Sequence, residues 1–309
     1  MSRKLTMFAL SLLFWTSACS VPSAFSLTPT PTAFAYPTEP TAIFPALTAE
    51  QLKNAEYTIT GFDNATHAYR FVNGKYDRGT DATAPDFVSI SLLDPVAYGD
   101  LNADGAPDAA VVIAENYGGT GVFVSVAAVL NENGQPRHAA SYAIDDRPKI
   151  NTLEIREGAI FLDAVIHSAN DPACCPEFAV TRTFKLIGVS LALVNATSQT
   201  ASGQARVITI ESPQDGMDAA ANGALVISGQ VTIAPFENNL SYRVYNEQGN
   251  ELSAGPITVT APDFGVPGTF TATLDLTAFP LGRLYIEIAD LSAADGSVLA
   301  LATVMVVVR

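Results

Sequence analysis

The sequence predicts a mainly β protein, with an antiparallel β-rich (α+β) domain followed by a β-sandwich. Three observations predict it. Short apolar runs recur on either side of turn pairs, namely Asn73-Gly74, Asn133-Gly134 and Glu157-Gly158. One helix-start signal stands at the beginning of the folded part, at Thr48 and Gln51. The last hundred residues keep a rhythm of alternating strands and turns, as a sandwich does.

In order, the chain opens with the basic residues Arg3 and Lys4, an apolar run from Leu5 to Trp15, and small residues leading to Cys19. That order is an export signal. The run falls short of the ~18 apolar residues of a membrane-spanning helix. Residues 1–19 resemble bacterial lipoprotein signals. The resemblance implies that Cys19 is acylated, becomes the mature N-terminus and anchors the protein outside the cytoplasm, on the cell membrane or an outer membrane. Simple secretion and an uncleaved anchor are the alternatives.

Residues 20–46 repeat proline, threonine and alanine, as in Thr28-Pro29-Thr30-Pro31-Thr32, and cannot bury a core. They predict a disordered, extended tether reaching ~3.1 Å per residue. Removing Arg3 and Lys4 with the signal takes the formal charge from −15 to −17. A chain so acidic is repelled by phosphate backbones, which argues against nucleic acid as a partner and leaves divalent cations as candidates. With 3 cysteines, the fold rests on apolar burial instead of a disulfide framework.

The folded region is predicted to start at Leu47. Thr48 and Gln51 form a capping box, Leu47 and Leu52 a hydrophobic staple, and a short helix follows over 49–56. The rest of 47–194 reads as strands. Tyr69 to Val72 and Lys75 to Tyr76 flank Asn73-Gly74 as a hairpin, Val122 to Leu130 leads to Asn133-Gly134, and Glu157-Gly158 joins two further runs.

Ser198, Thr200, Ser202 and Gly203 mark a composition break, predicting a linker over 195–206 and a second domain over 207–309. There Leu240/Tyr242/Val244, Leu284/Ile286/Ile288 and Val304/Val306/Val308 alternate as half-buried strands do. Ile208 to Pro213, Ile227-Ser228-Gly229, Phe236-Glu237-Asn238, Pro267 to Phe270 and Asp295-Gly296-Ser297 resemble, in order and spacing, the immunoglobulin-like domain of bacterial spore germination proteins. The resemblance implies an envelope accessory module without enzymatic chemistry.

One constellation carries chemistry. From Asp100 to Asp108, Asp100, Asn102, Asp104 and Asp108 stand at alternate positions, with Gly105 sixth. Their side-chain oxygens and the Ala106 carbonyl could wrap one Ca2+, with water completing its ~6–8 ligands. An EF-hand would place glutamate where Val111 stands. The alternative is an acidic turn whose side chains bond their own backbone. The loop resembles that of integrin-type FG-GAP repeats, in a single copy. Together with Asp171 to Pro176 it also resembles a family of exported bacterial proteins with no assigned activity. Gly118-Gly119-Thr120-Gly121 lacks the lysine of a phosphate loop and reads as a tight turn.

Cys174 and Cys175 are adjacent, and in an oxidising compartment they are expected to bond to each other. His67, His138 and His167 fit no metalloprotease helix, and no Gly-x-Ser-x-Gly elbow occurs. The sequence therefore predicts a non-enzymatic, lipid-anchored envelope protein with a binding or spacer role toward cell-wall glycan or an envelope protein. Its proposed metal is a structural Ca2+. A cell-wall-acting hydrolase with its site in the first domain is the alternative.

Overall fold

A computed structural model describes residues 45–61 and 65–309; the lipoprotein signal, Cys19 and all but the end of the tether lie outside them. The capping box forms as read. Gln51 N donates to Thr48 Oγ1 (3.2 Å) and Thr48 N to Gln51 Oε1 (2.9 Å), opening helix α1 (Ala49–Lys53). The helix is shorter than expected. Asn54 caps it and spends its amide on the Glu50 carbonyl (2.9 Å), so Glu56 already starts a strand.

Strands β1 (Glu56–Thr60) and β2 (Thr66–Arg70) pair as a hairpin. A five-stranded antiparallel sheet follows in the order β3 (Lys75–Arg78), β4 (Val88–Gly99), β5 (Asp108–Asn116), β6 (Phe123–Glu132), β7 (Gln135–Asp146). The hairpin expected around Asn73-Gly74 does not develop. Both residues take positive φ, but only Val72 and Lys75 bridge, after which β2 runs with β1 and β3 with β4. Gly74 N instead donates to the Lys53 carbonyl (2.7 Å), so the turn packs on the helix end. Asn133-Gly134 and Glu157-Gly158 do close hairpins, joining β6 to β7, and β8 (Lys149–Arg156) to β9 (Ala159–Ile166).

The central sheet is covered on both faces. Ala110, Val112, Ala114, Val124, Val126 and Ala128 pack against β8, β9, β10 (Phe178–Ile187) and β11 (Ser190–Gln199). Ala109, Val111, Ile113, Ala127 and Val129 pack against Leu52, Tyr57, Tyr69 and Phe71 of the helix and hairpin. This explains the unbroken apolar run from Ala109 to Ala114, since a strand with two buried faces shows no alternation. Burial alone cannot then fix its register. Two buried acids mark its ends, Asp108 at one and Glu115 at the other.

The stretch predicted as a linker is folded. β11 runs to Gln199, the chain turns at Thr200 to Gln204, and β12 (Ala205–Arg206) returns along it. Ser198, polar in composition, is buried and donates to the Leu299 carbonyl (2.6 Å).

Beyond it lies the predicted sandwich. One layer holds β13 (Ile208–Ser212), β15 (Ala224–Val231) and β18 (Gly268–Asp275). The other holds β16 (Asn239–Asn246), β19 (Gly282–Leu291) and β20 (Val298–Val308), with β14 (Met217–Ala219) on the edge, parallel to β20. β17 (Glu251–Thr260) pairs into both layers. Ile227, Val244, Phe270, Ile286 and Val306 fill the space between. Gly229 is required there, because an added Cβ would stand 2.1 Å from the Thr209 carbonyl oxygen.

The two halves share a sheet. Asn195 and Ala196 of β11 pair with Ala302 and Leu301 of β20, giving one path of strands from β8 to β13. Ala289 and Leu301 of the sandwich belong to the first half's core. Arg206 pairs with buried Asp290 across the same junction (2.9 Å).

Candidate functional site

The acidic loop bridges β4 and β5, whose last pair is Gly99 with Asp108. Its side chains fold it from within. Asp100 Oδ1 accepts from the amides of Asn102 (3.2 Å) and Ala103 (2.7 Å), and its Oδ2 from Gly105 (2.9 Å). Asn102 Oδ1 accepts from Asp104 N, and Asp104 Oδ1 from Ala106 N. Ala103 and Gly105 take positive φ, which lets so short a loop curl around the Asp100 carboxylate.

Asp108 stands apart from that rim. It is 0% exposed; Oδ2 accepts from Leu101 N and Oδ1 from Asn131 N, both at 2.8 Å. Asn131 in turn donates to the Pro45 and Pro107 carbonyls and accepts from Gly134 N. Asp108 thus ties the loop to the β6–β7 turn and to the entering chain. Burial pushes its carboxyl up, the two amides pull it down, and the charges of Asp104 and Asp100 push it further up. Among the described residues no lysine or arginine pairs with these acids, and no group of three or more His, Cys, Asp or Glu is placed to hold a metal ion. The donor set is nonetheless all hard oxygen, the chemistry calcium takes, and a carboxylate oxygen that accepts one amide keeps a second lone pair.

Cys174 and Cys175 are bonded to each other on an exposed turn, which Asp171 closes by accepting from Ser168 N, Ser168 Oγ and Glu177 N. His167 Nδ1 lies 2.8 Å from Asp145 Oδ2, and its Nε2 is buried with no partner among the described residues. Burial draws this imidazole's pKa down, but Asp145 and Asp146 draw it up and prevail. His138 is the opposite case: burial, then the charge of Arg137, pulls it down to about 4. Its Nδ1 accepts from Thr58 N (3.3 Å), which leaves Nε2 to donate to Ser141 Oγ (2.8 Å). In that tautomer it cannot take a proton from Ser141.

A second candidate forms where the halves meet. β16, β19 and β20 turn Val244, Ile286 and Val304 into the sandwich, which leaves Arg243, Tyr245, Tyr285, Glu287 and Thr303 on the outer face. Register sets Tyr245 beside Tyr285, Arg243 beside Glu287, and Glu287 beside Thr303. Tyr142 of β7 and Ala192 and Val194 of β11 wall this platform, enclosing a cavity of about 290 Å³. Tyr142 is held by Phe184, ring centres 4.8 Å apart. Burial pushes Glu287 up; Arg243, 4.0 Å away, moderates this from beyond hydrogen-bond reach. The Thr303 hydroxyl is buried with no partner among the described residues.

Sequence reasoning found the inward residues of these strands and missed the outward ones. The available signal was their complement: tyrosine, arginine and glutamate recurring where a solvent-facing strand needs only small polar residues.

Residues 207–297 match the immunoglobulin-like domain of bacterial spore germination. The match spans the sandwich from β13 to the turn before β20, and the first 206 residues lie outside it. The matched segment thus supplies β16 and β19 of the platform, while β20 with Thr303 and the wall from β7 and β11 lie outside it. No curated protein matches the chain. Among solved structures, it is similar to the extracellular domain of a one-component system of B. thetaiotaomicron, at 8% identity and a TM-score of 0.21. That similarity covers 82% of this chain, which spans 46% of the other protein's length.

Proposed function

We propose that this is a non-enzymatic, lipid-anchored protein of the cell envelope, held at Cys19, whose two folded halves act as one binding or spacer unit. The pairing of β11 with β20 carries this reading. A shared sheet and a shared core remove the hinge a flexible linker would provide, so the folded part holds its shape at the end of a Pro/Thr-rich tether. The germination-type domain supports an extracytoplasmic accessory role. The partner in this reading is cell-wall glycan or an envelope protein. The acidity of the chain and the basic start of its leader support export and argue against nucleic acid.

Within the same reading the acidic loop binds a structural Ca2+ through Asp100, Asn102, Asp104 and the Ala106 carbonyl. Asp108 stands behind them and fixes the loop's ends. Calcium would supply positive charge among three carboxylates that have no basic partner among the described residues.

Co-sedimentation of the full chain with purified cell wall, alongside membrane fractionation of the wild type and Cys19→Ala, tests the proposal. Retention by wall or by a defined envelope protein is expected, with the variant released from membranes. No retention by either material, or an unchanged membrane fraction for Cys19→Ala, overturns the corresponding half.

A further inference from the structure

The crease between the halves combines two properties that rarely coexist in an idle surface. It is predominantly aromatic and apolar, yet it holds polar groups whose hydrogen-bonding capacity is unmet. Tyr142, Tyr245 and Tyr285 offer flat faces and hydroxyls, while Glu287 and Thr303 sit in one cross-strand row: Glu287 faces Arg243 at 4.0 Å, beyond hydrogen-bond reach, and the Thr303 hydroxyl is buried with no partner among the described residues. Leaving a buried hydroxyl unpaired and a carboxylate partly desolvated is unfavourable, and a bound molecule that hydrogen-bonds both removes the penalty.

Charge narrows the ligand. Arg243 is shared between Glu251 (3.7 Å) and Glu287 (4.0 Å), so an anion meets two carboxylates on a strongly acidic protein and a cation meets the guanidinium. A neutral ligand with an apolar face and a rim of hydroxyls matches both the rings and the row. A cavity of about 290 Å³ is at the small end of ligand sites, suited to one or two rings of a chain that continues into solvent. We infer that this crease binds a neutral sugar unit of a glycan, its ring stacked on Tyr245 or Tyr285 and its hydroxyls bonded to Glu287, Thr303 and Arg243. The inference rests on the binding role proposed above and assigns that role to one place. Neither half forms the site alone.

The test is saturation-transfer NMR with titration on the full chain, using the N-acetylglucosamine dimer, cellobiose and maltose as neutral probes, with glucosamine and glucuronic acid as charged controls. At least one neutral probe is expected to bind at millimolar concentration or below. Tyr285→Ala and Glu287→Gln should each weaken it about tenfold or more, the loss typical of an aromatic or buried polar anchor. Tyr245→Phe keeps the ring and should retain most of the affinity. Tyr98→Ala, on the distant strand β4, should change nothing. Thermal melts of each variant check folding, and Glu287→Gln carries the test should Tyr285→Ala fail to fold. Absence of binding by every neutral probe, preference for a charged control, or binding indifferent to both crease variants overturns the assignment. The same variants in the cell-wall assay separate the two proposals. Wall retention unaffected by Tyr285→Ala and Glu287→Gln sinks the crease and leaves the binding role standing, whereas a wild type that no wall retains sinks the role itself.

Discussion

The acidic loop and the interdomain crease are opposites. In the loop, nearly every polar atom that could serve a ligand already accepts a backbone amide of the same loop or of the neighbouring turn. In the crease, the Thr303 hydroxyl is buried with no partner among the described residues, and Glu287 meets Arg243 at 4.0 Å, too far for a hydrogen bond. The loop is a local motif that folds itself. The crease is a surface that leaves a buried hydroxyl unmet among the described residues. Conspicuous chemistry in a sequence is therefore no guide to where bonding capacity is left over in the fold.

The largest expected effect that tests this contrast is Asp108→Ala. It strips two buried amides, Leu101 N and Asn131 N, of a charged acceptor and should lower stability by roughly 2–4 kcal/mol. Denaturant unfolding in chelator, compared with Asp104→Ala, measures it. Equal losses in the two variants would show that the exposed rim is as structural as the buried acid, and the distinction between them would fall.

Next in size is calcium. At ~20 times its dissociation constant, a bound ion adds about 1.8 kcal/mol, a rise of several degrees in the melt that Asp104→Ala should abolish. No shift in millimolar calcium returns Asp100 to Asp108 to a turn held by its own hydrogen bonds.

In the crease the signs reverse. Thr303→Val replaces a buried hydroxyl that has no partner among the described residues with a methyl group of similar volume and should leave stability unchanged or raise it by up to about 1 kcal/mol. A clear loss would mean that the hydroxyl is already satisfied. The smallest effect is that of Glu287→Gln, which should be slightly stabilising at neutral pH. Burial raises the folded pKa of Glu287, so its contribution is greatest below the unfolded value near 4.5 and is lost as pH rises through the folded value. The advantage of the variant should accordingly shrink as pH is lowered toward 4. Melts across that range read it directly.

Much of the fold was legible because its signals are local. Thr48 and Gln51 announce the helix, Asn133-Gly134 and Glu157-Gly158 announce hairpins, and Leu284/Ile286/Ile288 announces a half-buried strand. The errors have a common cause. Asn73-Gly74 makes the expected tight turn, but which strands flank it depends on partners far along the chain, β1 for one arm and β4 for the other. The small polar residues of 195–206 resemble a linker in composition, yet Ser198 is buried because a carbonyl at Leu299, 101 positions away, accepts its proton.

By itself, then, the sequence determined the β-rich class, the germination-type sandwich, the helix start, two of the hairpins and the place of the acidic loop. Each depends on neighbours within a few residues, where turn geometry, alternation and capping act without help from the rest of the chain. Tertiary structure decided that the two halves share one sheet, and that Tyr142 of the first half stands against Tyr245, Tyr285 and Glu287 of the second. Such pairings bring together residues more than a hundred positions apart. What selects them is the burial of whole sheet faces and the matching of strand edges, and no stretch of the sequence carries that information alone.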